Sequence, residues 1–171
     1  SSYYLGVFWN SSSQEDIEFL NRARTISGNA AAELLIFDCR PYKNACANRI
    51  NGGGSEDTSK YDNTAVEFLD LPNIHTVSAA FERFRAAVMQ RGTLLPSEFH
   101  RETSEWLDLL CAIVNATKKV LTRIPAEKGP KSVLIHCSDG WDRTSQLSSL
   151  VRLLLDRRAR TTRGFLNVVH R

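Results

Sequence analysis

Three short apolar runs set the fold this chain can adopt: Leu34-Leu35-Ile36-Phe37, residues 66–71 and Val133-Leu134-Ile135. Each has strand length and a nearby breaker: Arg40-Pro41 after the first, Pro72 after the second and Gly129-Pro130 before the third. Residues 3–8 read as a further strand or a buried N-terminal segment. Helical patterns lie between the runs. Ser13 reads as an N-cap, with Glu15 and Asp16 in the first turn, Ile17, Leu20 and Ile26 behind, and Gly28 as the stop. Val77, Phe81, Phe84 and Val88 recur at helical spacing up to Gly92. A longer helix is expected from near Ser97 to Ile124, with Trp106 and the leucines after it in the core. Leu147, Leu150, Val151, Leu154 and Leu155 mark a last helix. Residues 51–55, Asn-Gly-Gly-Gly-Ser, are a loop. Strands alternating with helices predict an α/β fold, with a mainly parallel sheet flanked by helices.

Composition narrows the class. The 171 residues suit one domain on a prior of roughly 100–200 residues. Net charge is 22 − 19 = +3, too slight to imply nucleic acid. No apolar run reaches the ~18 residues of a membrane span, and Ser1-Ser2-Tyr3-Tyr4 lacks a signal peptide's basic head. Cys39, Cys46, Cys111 and Cys137 show no metal spacing and read as reduced thiols in a cytosolic setting, the first three as packing residues. Secreted frameworks, zinc fingers and integral membrane proteins are disfavoured, and no metal or cofactor is expected. The absence of an initial methionine suggests a chain processed or cut from a longer one.

The chemistry is concentrated in His136-Cys137-Ser138-Asp139-Gly140-Trp141-Asp142-Arg143-Thr144, between the third strand and the last helix. A loop leaving a buried strand and opening a helix presents backbone N–H groups and the positive end of a helix dipole to an anion. The same field lowers a thiol pKa, so Cys137 is a candidate nucleophile. A phosphoryl group would rest on the loop amides from Ser138 onward, and Arg143 would fork two of its oxygens. Gly140 permits the tight turn, and the Thr144 hydroxyl is placed to assist the sulfur as leaving group. Asp142 is either an ion-pair partner of Arg143 or a proton donor to the leaving oxygen. No Trp-Pro-Asp acid loop occurs elsewhere, which favours the donor role. His136 either holds the loop or is a satisfied core histidine. The glycines at 52–54 form either an anion nest or a flexible surface loop. Arg157, Arg158, Arg160 and Arg163 lie at or past a helix C-terminus, where the dipole favours them, and they are also candidates for contact with anionic lipid.

This loop resembles the signature of the myotubularin-related phosphatases. So do Asp38-Cys39-Arg40-Pro41 (Asp-Ala-Arg-Pro in the family), Asn44-Ala45 with Ala47-Asn48-Arg49, then Gly52-Gly53-Gly54 and Glu56 (the family's central loop, and so expected to be a loop here), Asn73-Ile74-His75, and residues 160–165. The likeness runs from about Ser12 to Phe165. It implies a cysteine-dependent, protein-tyrosine-phosphatase-like α/β domain, of which residues 1–171 would be part, incomplete at both ends. It implies removal of the 3-phosphate of phosphatidylinositol 3-phosphate and of the 3,5-bisphosphate through a cysteinyl-phosphate. Cys137, Arg143 and Asp142 would be catalytic; Asn48, Asn73, Ile74, Ser138, Asp139, Gly140, Trp141, Asp142 and Arg143 would bind substrate. It also implies a cytoplasmic protein peripherally bound to endosomal or other phosphoinositide-bearing membranes, with oligomers of related members formed through regions outside this chain.

The sequence also departs from the family pattern. A PH-GRAM domain is not found in these residues, nor is the Phe-Gly-His-Arg region with its further arginines, and Thr76-Val77-Ser78 lacks the arginine often found after His75. Residues 1–171 alone are therefore expected to be marginally stable, with an unpartnered last helix, and weak on lipid until extended C-terminally. The alternatives are a non-catalytic phosphoinositide-binding or scaffold module and a protein phosphatase with the same nucleophile.

Overall fold

A computed structural model describes residues 14–26, 32–50, 63–124 and 131–170, with the side chains of Asp16 and of residues 47–50 outside that description. In chain order the elements are α1 (Gln14–Thr25), β1 (Glu33–Asp38), α2 (Tyr42–Ile50), β2 (Thr64–Phe68), α3 (Ile74–Met89), α4 (Pro96–Arg123), β3 (Lys131–His136), α5 (Arg143–Leu155) and α6 (Thr162–Val169). A 3₁₀ turn, Arg157–Arg160, joins the last two. The expected strand at 3–8, the Ser13 cap, the Gly28 stop and the 51–55 loop lie outside the described residues.

The three strands form one parallel sheet in the order β2-β1-β3. The central position of β1 explains its continuous apolar run, because both of its faces need cover. Leu34, Leu35, Ile36 and Phe37 are all buried. One face carries Leu35, Phe37 and Cys39 beside Val133, Ile135 and Cys137, packed with Val120 of α4 and Leu147 and Val151 of α5. The other carries Leu34 and Ile36 with Val66, Leu134 and Leu20 of α1. Helices therefore cover both faces of the sheet, as the α/β expectation requires.

Four expectations are corrected. The second strand runs Thr64–Phe68 rather than 66–71, because Asp70 takes a left-handed φ of 53° that turns the chain out of extended geometry. Leu69 and Leu71 still donate to the carbonyls of Asp38 and Cys39. Second, residues 42–50 form a helix: Pro41 breaks β1 but also opens α2, its carbonyl accepting from Asn44 and Ala45. Third, the apolar stripes of α3 and α4 are only partly covered. In α3 the buried residues are Ala80 and Ala87, while Phe81 and Val88 stay exposed. Trp106 is half-buried against Phe81 and Phe84, and Leu110 and Val114 of α4 are exposed. Fourth, the apolar face of the last strong helix is not uniformly unpartnered: Leu147 and Val151 are buried, and Leu154 and Leu155 are exposed.

After α5 the chain doubles back tightly. Arg160 donates to the carbonyls of Leu153 and Leu154, a cationic cap on the helix C-terminus. Thr161 caps α6 by accepting from the Gly164 amide. A Cβ at Gly164 would fall 1.9 Å from the Arg158 carbonyl oxygen, so this crossing requires glycine.

Candidate active site

The segment 137–142 passes from the end of β3 into the start of α5. Cys137 is 4% exposed, at the floor of this loop. The Gly140 amide donates to Cys137 Sγ at 3.2 Å. Gly140 has φ +83°, which turns its N–H inward at a backbone conformation that L side chains rarely adopt. Burial pushes the Cys137 thiol up. The Thr144 hydroxyl and the amides of Thr144, Gly140 and Asp139 outweigh burial, so the net shift is below the ordinary thiol value. The buried Thr144 hydroxyl makes no well-aligned hydrogen bond in this resting geometry, which leaves it available to the sulfur beside it.

Arg143 is held from two sides. Its Nη1 donates to the Leu71 carbonyl at 3.2 Å, and its Nη2 to Ser138 Oγ at 3.2 Å. The first bond ties the Cys137 loop to the chain two residues ahead of Asn73. Asn73 itself N-caps α3, its Oδ1 accepting from the Thr76 amide at 3.0 Å, and Ile74 follows, 40% exposed. The structure thus gives Asn73 a capping role and brings its segment to the loop through Leu71. Asn48 falls within α2, and its side chain lies outside the described residues. Trp141 is 82% exposed, and Asp139 and Gly140 are exposed beside it. Asp142 is partly buried at the N-cap of α5, with no side-chain capping bond, while its carbonyl accepts from Gln146 N and Ser145 Oγ. Among the described residues it makes no ion pair with Arg143, so the ion-pair alternative for Asp142 is not realised here.

Behind the loop lies a buried ion pair that the residue pattern did not reveal as such. Asp38 and Arg40 are 0% and 2% exposed. Asp38 Oδ1 accepts from the amide and Nε of Arg40, each at 2.9 Å, and Oδ2 from Nη2 at 2.6 Å. The available signal was the Asp-x-Arg-Pro quartet, in which an arginine two residues past a strand end can fold back on an aspartate. His136 Nε2 stands 3.9 Å from Asp38 Oδ2, and its Nδ1 lies 3.3 Å from the Cys137 carbonyl oxygen. Burial holds the imidazole below its ordinary pKa, so at neutral pH it is an uncharged wall of the site. Of the cysteines expected to pack, Cys39 is buried, Cys46 intermediate and Cys111 exposed, which corrects the expectation for Cys111.

These thiol environments predict separable reactivity. Iodoacetamide should alkylate Cys137 with a pH midpoint below the roughly 8.5 of a free thiol. Cys39, whose pKa burial raises to about 12, should stay unmodified in the native protein. Peptide mapping across pH 5–10 checks both, and a Cys137 midpoint at or above the free-thiol value would contradict the loop electrostatics described.

A strand, a glycine-turned loop and a helix holding a buried, amide-solvated thiol beside an anchored arginine define a thiol-based anion site on an α/β scaffold. The model for the myotubularin-like phosphatase domain matches residues 1–171, and the chain belongs to that family. It is 37% identical over 163 residues to the phosphatidylinositol-3,5-bisphosphate 3-phosphatase MTMR3 of Caenorhabditis elegans, covering 95% of this chain and 16% of that protein. It is 41% identical over 141 residues to the corresponding MTMR4 of Xenopus laevis (81% and 13%) and 38% over 156 residues to MTMR2 of Pongo abelii (90% and 23%). The chain thus spans less than a quarter of the length of these curated relatives.

Proposed function

We propose that the protein is a phosphoinositide 3-phosphatase, acting on phosphatidylinositol 3-phosphate and the 3,5-bisphosphate through a cysteinyl-phosphate on Cys137, with residues 1–171 part of one phosphatase domain. The observation that carries this reading is the Cys137 sulfur, buried yet hydrogen-bonded by loop amides, with Arg143 fixed beside it. The names of the relatives support the lipid 3-phosphate as substrate.

In the first step the thiolate attacks phosphorus in line with the leaving inositol oxygen. The S–P bond forms as the P–O bond breaks, and Asp142 supplies the proton to the departing oxygen. Arg143 keeps its plane through Leu71 and Ser138 and offers its remaining N–H donors to the equatorial oxygens. In the second step water attacks phosphorus and gives a proton back to Asp142, and the sulfur leaves as a thiolate stabilised by the Thr144 hydroxyl and the loop amides. Asn48, Asn73, Ile74 and the loop at 138–141 complete the substrate contacts in this reading. The protein would act in the cytoplasm at the surface of endosomal or other phosphoinositide-bearing membranes; no described helix is long and apolar enough to cross one.

The test is phosphate release measured with malachite green on short-chain phosphatidylinositol 3-phosphate, on its 3,5-bisphosphate and on a phosphotyrosine peptide. Preference for the lipids is expected; preference for the peptide would make the protein a protein phosphatase.

Two substitutions probe the roles. Arg143→Lys should lower kcat/KM by ~30- to 1,000-fold, the equivalent of about 2–4 kcal/mol for one lost oxyanion donor. A loss under about tenfold would show that the planar fork is dispensable. Asp142→Asn should slow lipid hydrolysis strongly and an aryl phosphate much less, because a good leaving group needs little protonation. Equal losses on both substrates would instead make Asp142 a structural residue.

A further inference from the structure

β1 and β3 run parallel, and their ladder ends at the pair Asp38 and His136. The next residues on the two strands are Cys39 and Cys137. The Cys39 amide donates to the His136 carbonyl at 2.8 Å, so the strands are still held together at this step. Alternation places the two thiols on the same face. Leu35, Phe37 and Cys39 on one strand and Val133, Ile135 and Cys137 on the other all belong to a single core cluster, while Leu34, Ile36 and Leu134 belong to the opposite one. Neighbouring strands lie about 4.8 Å apart, inside the Cα separation of about 4.4–6.8 Å that a disulfide spans.

We infer that Cys39 is a resolving thiol, which captures peroxide-oxidised Cys137 as an intramolecular Cys39–Cys137 disulfide and so switches the site off reversibly. The inference rests on Cys137 being the reactive thiolate of the function proposed above, but not on its substrate. Cys137 opens to the loop, whereas Cys39 is wholly enclosed, so hydrogen peroxide meets Cys137 first. Its thiolate attacks one peroxide oxygen, the O–O bond breaks and the departing hydroxide is protonated to water. The sulfur is oxidised by two electrons to a sulfenic acid and the peroxide is reduced by two. Cys39 Sγ then attacks Cys137 Sγ; the S–OH bond breaks, and the hydroxide leaves with the Cys39 proton as a second water. In sum, two thiols and one peroxide give one disulfide and two waters.

The order of events follows from the electrostatics. After burial, the negative charge at Cys137 contributes most to keeping Cys39 protonated. A neutral sulfenic acid removes that contribution while burial remains, so Cys39 is a better nucleophile after Cys137 has been oxidised than before. Closing the bond draws the sulfur away from the Gly140 amide and leaves the loop without a nucleophile. Alanine at this position removes only the sulfur from an enclosed site and introduces no polar group or added bulk, so Cys39→Ala is the variant of choice.

Tryptic cleavage puts the four cysteines on four peptides: residues 25–43, 44–49, 102–118 and 132–143. The full chain is treated with hydrogen peroxide without substrate, then unfolded in denaturant so that every remaining free thiol, Cys39 included, is alkylated, and a non-reducing digest is read by mass spectrometry. The expected result is peptide 25–43 linked to peptide 132–143, with both thiols recovered by dithiothreitol. In Cys39→Ala, peptide 132–143 should instead gain two or three oxygens, and dithiothreitol should restore its thiol ~10-fold less than in the wild type. The inference is overturned if wild-type peptide 132–143 is over-oxidised while Cys39 remains alkylatable, or if it links to peptide 44–49 or 102–118. Because no turnover is measured, a wrong substrate assignment cannot mimic either result.

Discussion

Cys137→Ser is expected to release essentially no phosphate from a 3-phosphoinositide, a loss on the order of 10⁴-fold or more, while still binding the lipid. Burial alone would keep the thiol protonated, but the Thr144 hydroxyl and the amides of Thr144, Gly140 and Asp139 together outweigh it and favour the anion. A serine hydroxyl is not ionised by the same groups, and its shorter bond withdraws the oxygen from phosphorus. The anion-binding parts, the loop amides and Arg143, are untouched. Phosphate release and short-chain lipid binding measured on one preparation separate the two effects. Retention of a substantial fraction of turnover would remove Cys137 from the chemistry.

Arg40→Ala should be the most damaging single change to stability, at about 3–5 kcal/mol, since it strands the buried Asp38 carboxylate without its partner. Asp38 and Arg40 have 0% and 2% of their surface exposed, so water cannot take over the lost hydrogen bonds. The pair adjoins Cys39 and, across the ladder, His136, so its loss should loosen the base of the nucleophile loop as well. Replacing both residues by apolar ones of similar size should cost less than Arg40→Ala alone, because no charge is then left behind. Urea denaturation of the single and double variants is the measurement. A single-variant cost below about 1 kcal/mol would mean that the interior tolerates an unpaired Asp38 and that the ion pair does not anchor the loop.

The parts of the fold legible in the sequence were those whose signal is local. β1 and β3 are short apolar runs because the sheet is covered on both sides, and the loop around Cys137 carries its candidate chemical groups in nine consecutive residues. What was not legible depends on distant partners. The stripe Val77, Phe81, Phe84 and Val88 reads as a core face, yet Ala80 and Ala87 are the buried residues of α3, a burial decided by the elements packed on it rather than by its own periodicity. Helix α2 was hidden because Pro41 reads as a stop after β1 and equally well as the start of a helix. Arg40 was passed over because a charged side chain is seldom fully buried, and only the return of its guanidinium to Asp38 makes this possible. Cys39 read as a packing residue; its relation to Cys137 exists only through the β1–β3 register. At the site, Arg143 is singled out by its place six residues after Cys137, but its anchor on the Leu71 carbonyl joins residues far apart in the chain and has no sequence signature.

In the proposed reaction a phosphoryl group passes from an inositol lipid to the Cys137 sulfur. The decisive experiment is a rapid quench in denaturing detergent of the protein with phosphatidylinositol 3-phosphate radiolabelled at the 3-phosphate, followed by peptide mapping at neutral to alkaline pH. Label is expected on the peptide of residues 132–143, absent from Cys137→Ser and chased by unlabelled substrate. Phosphate release proceeding at full rate with no label on that peptide at any quench time, or label on another peptide, would contradict this transfer.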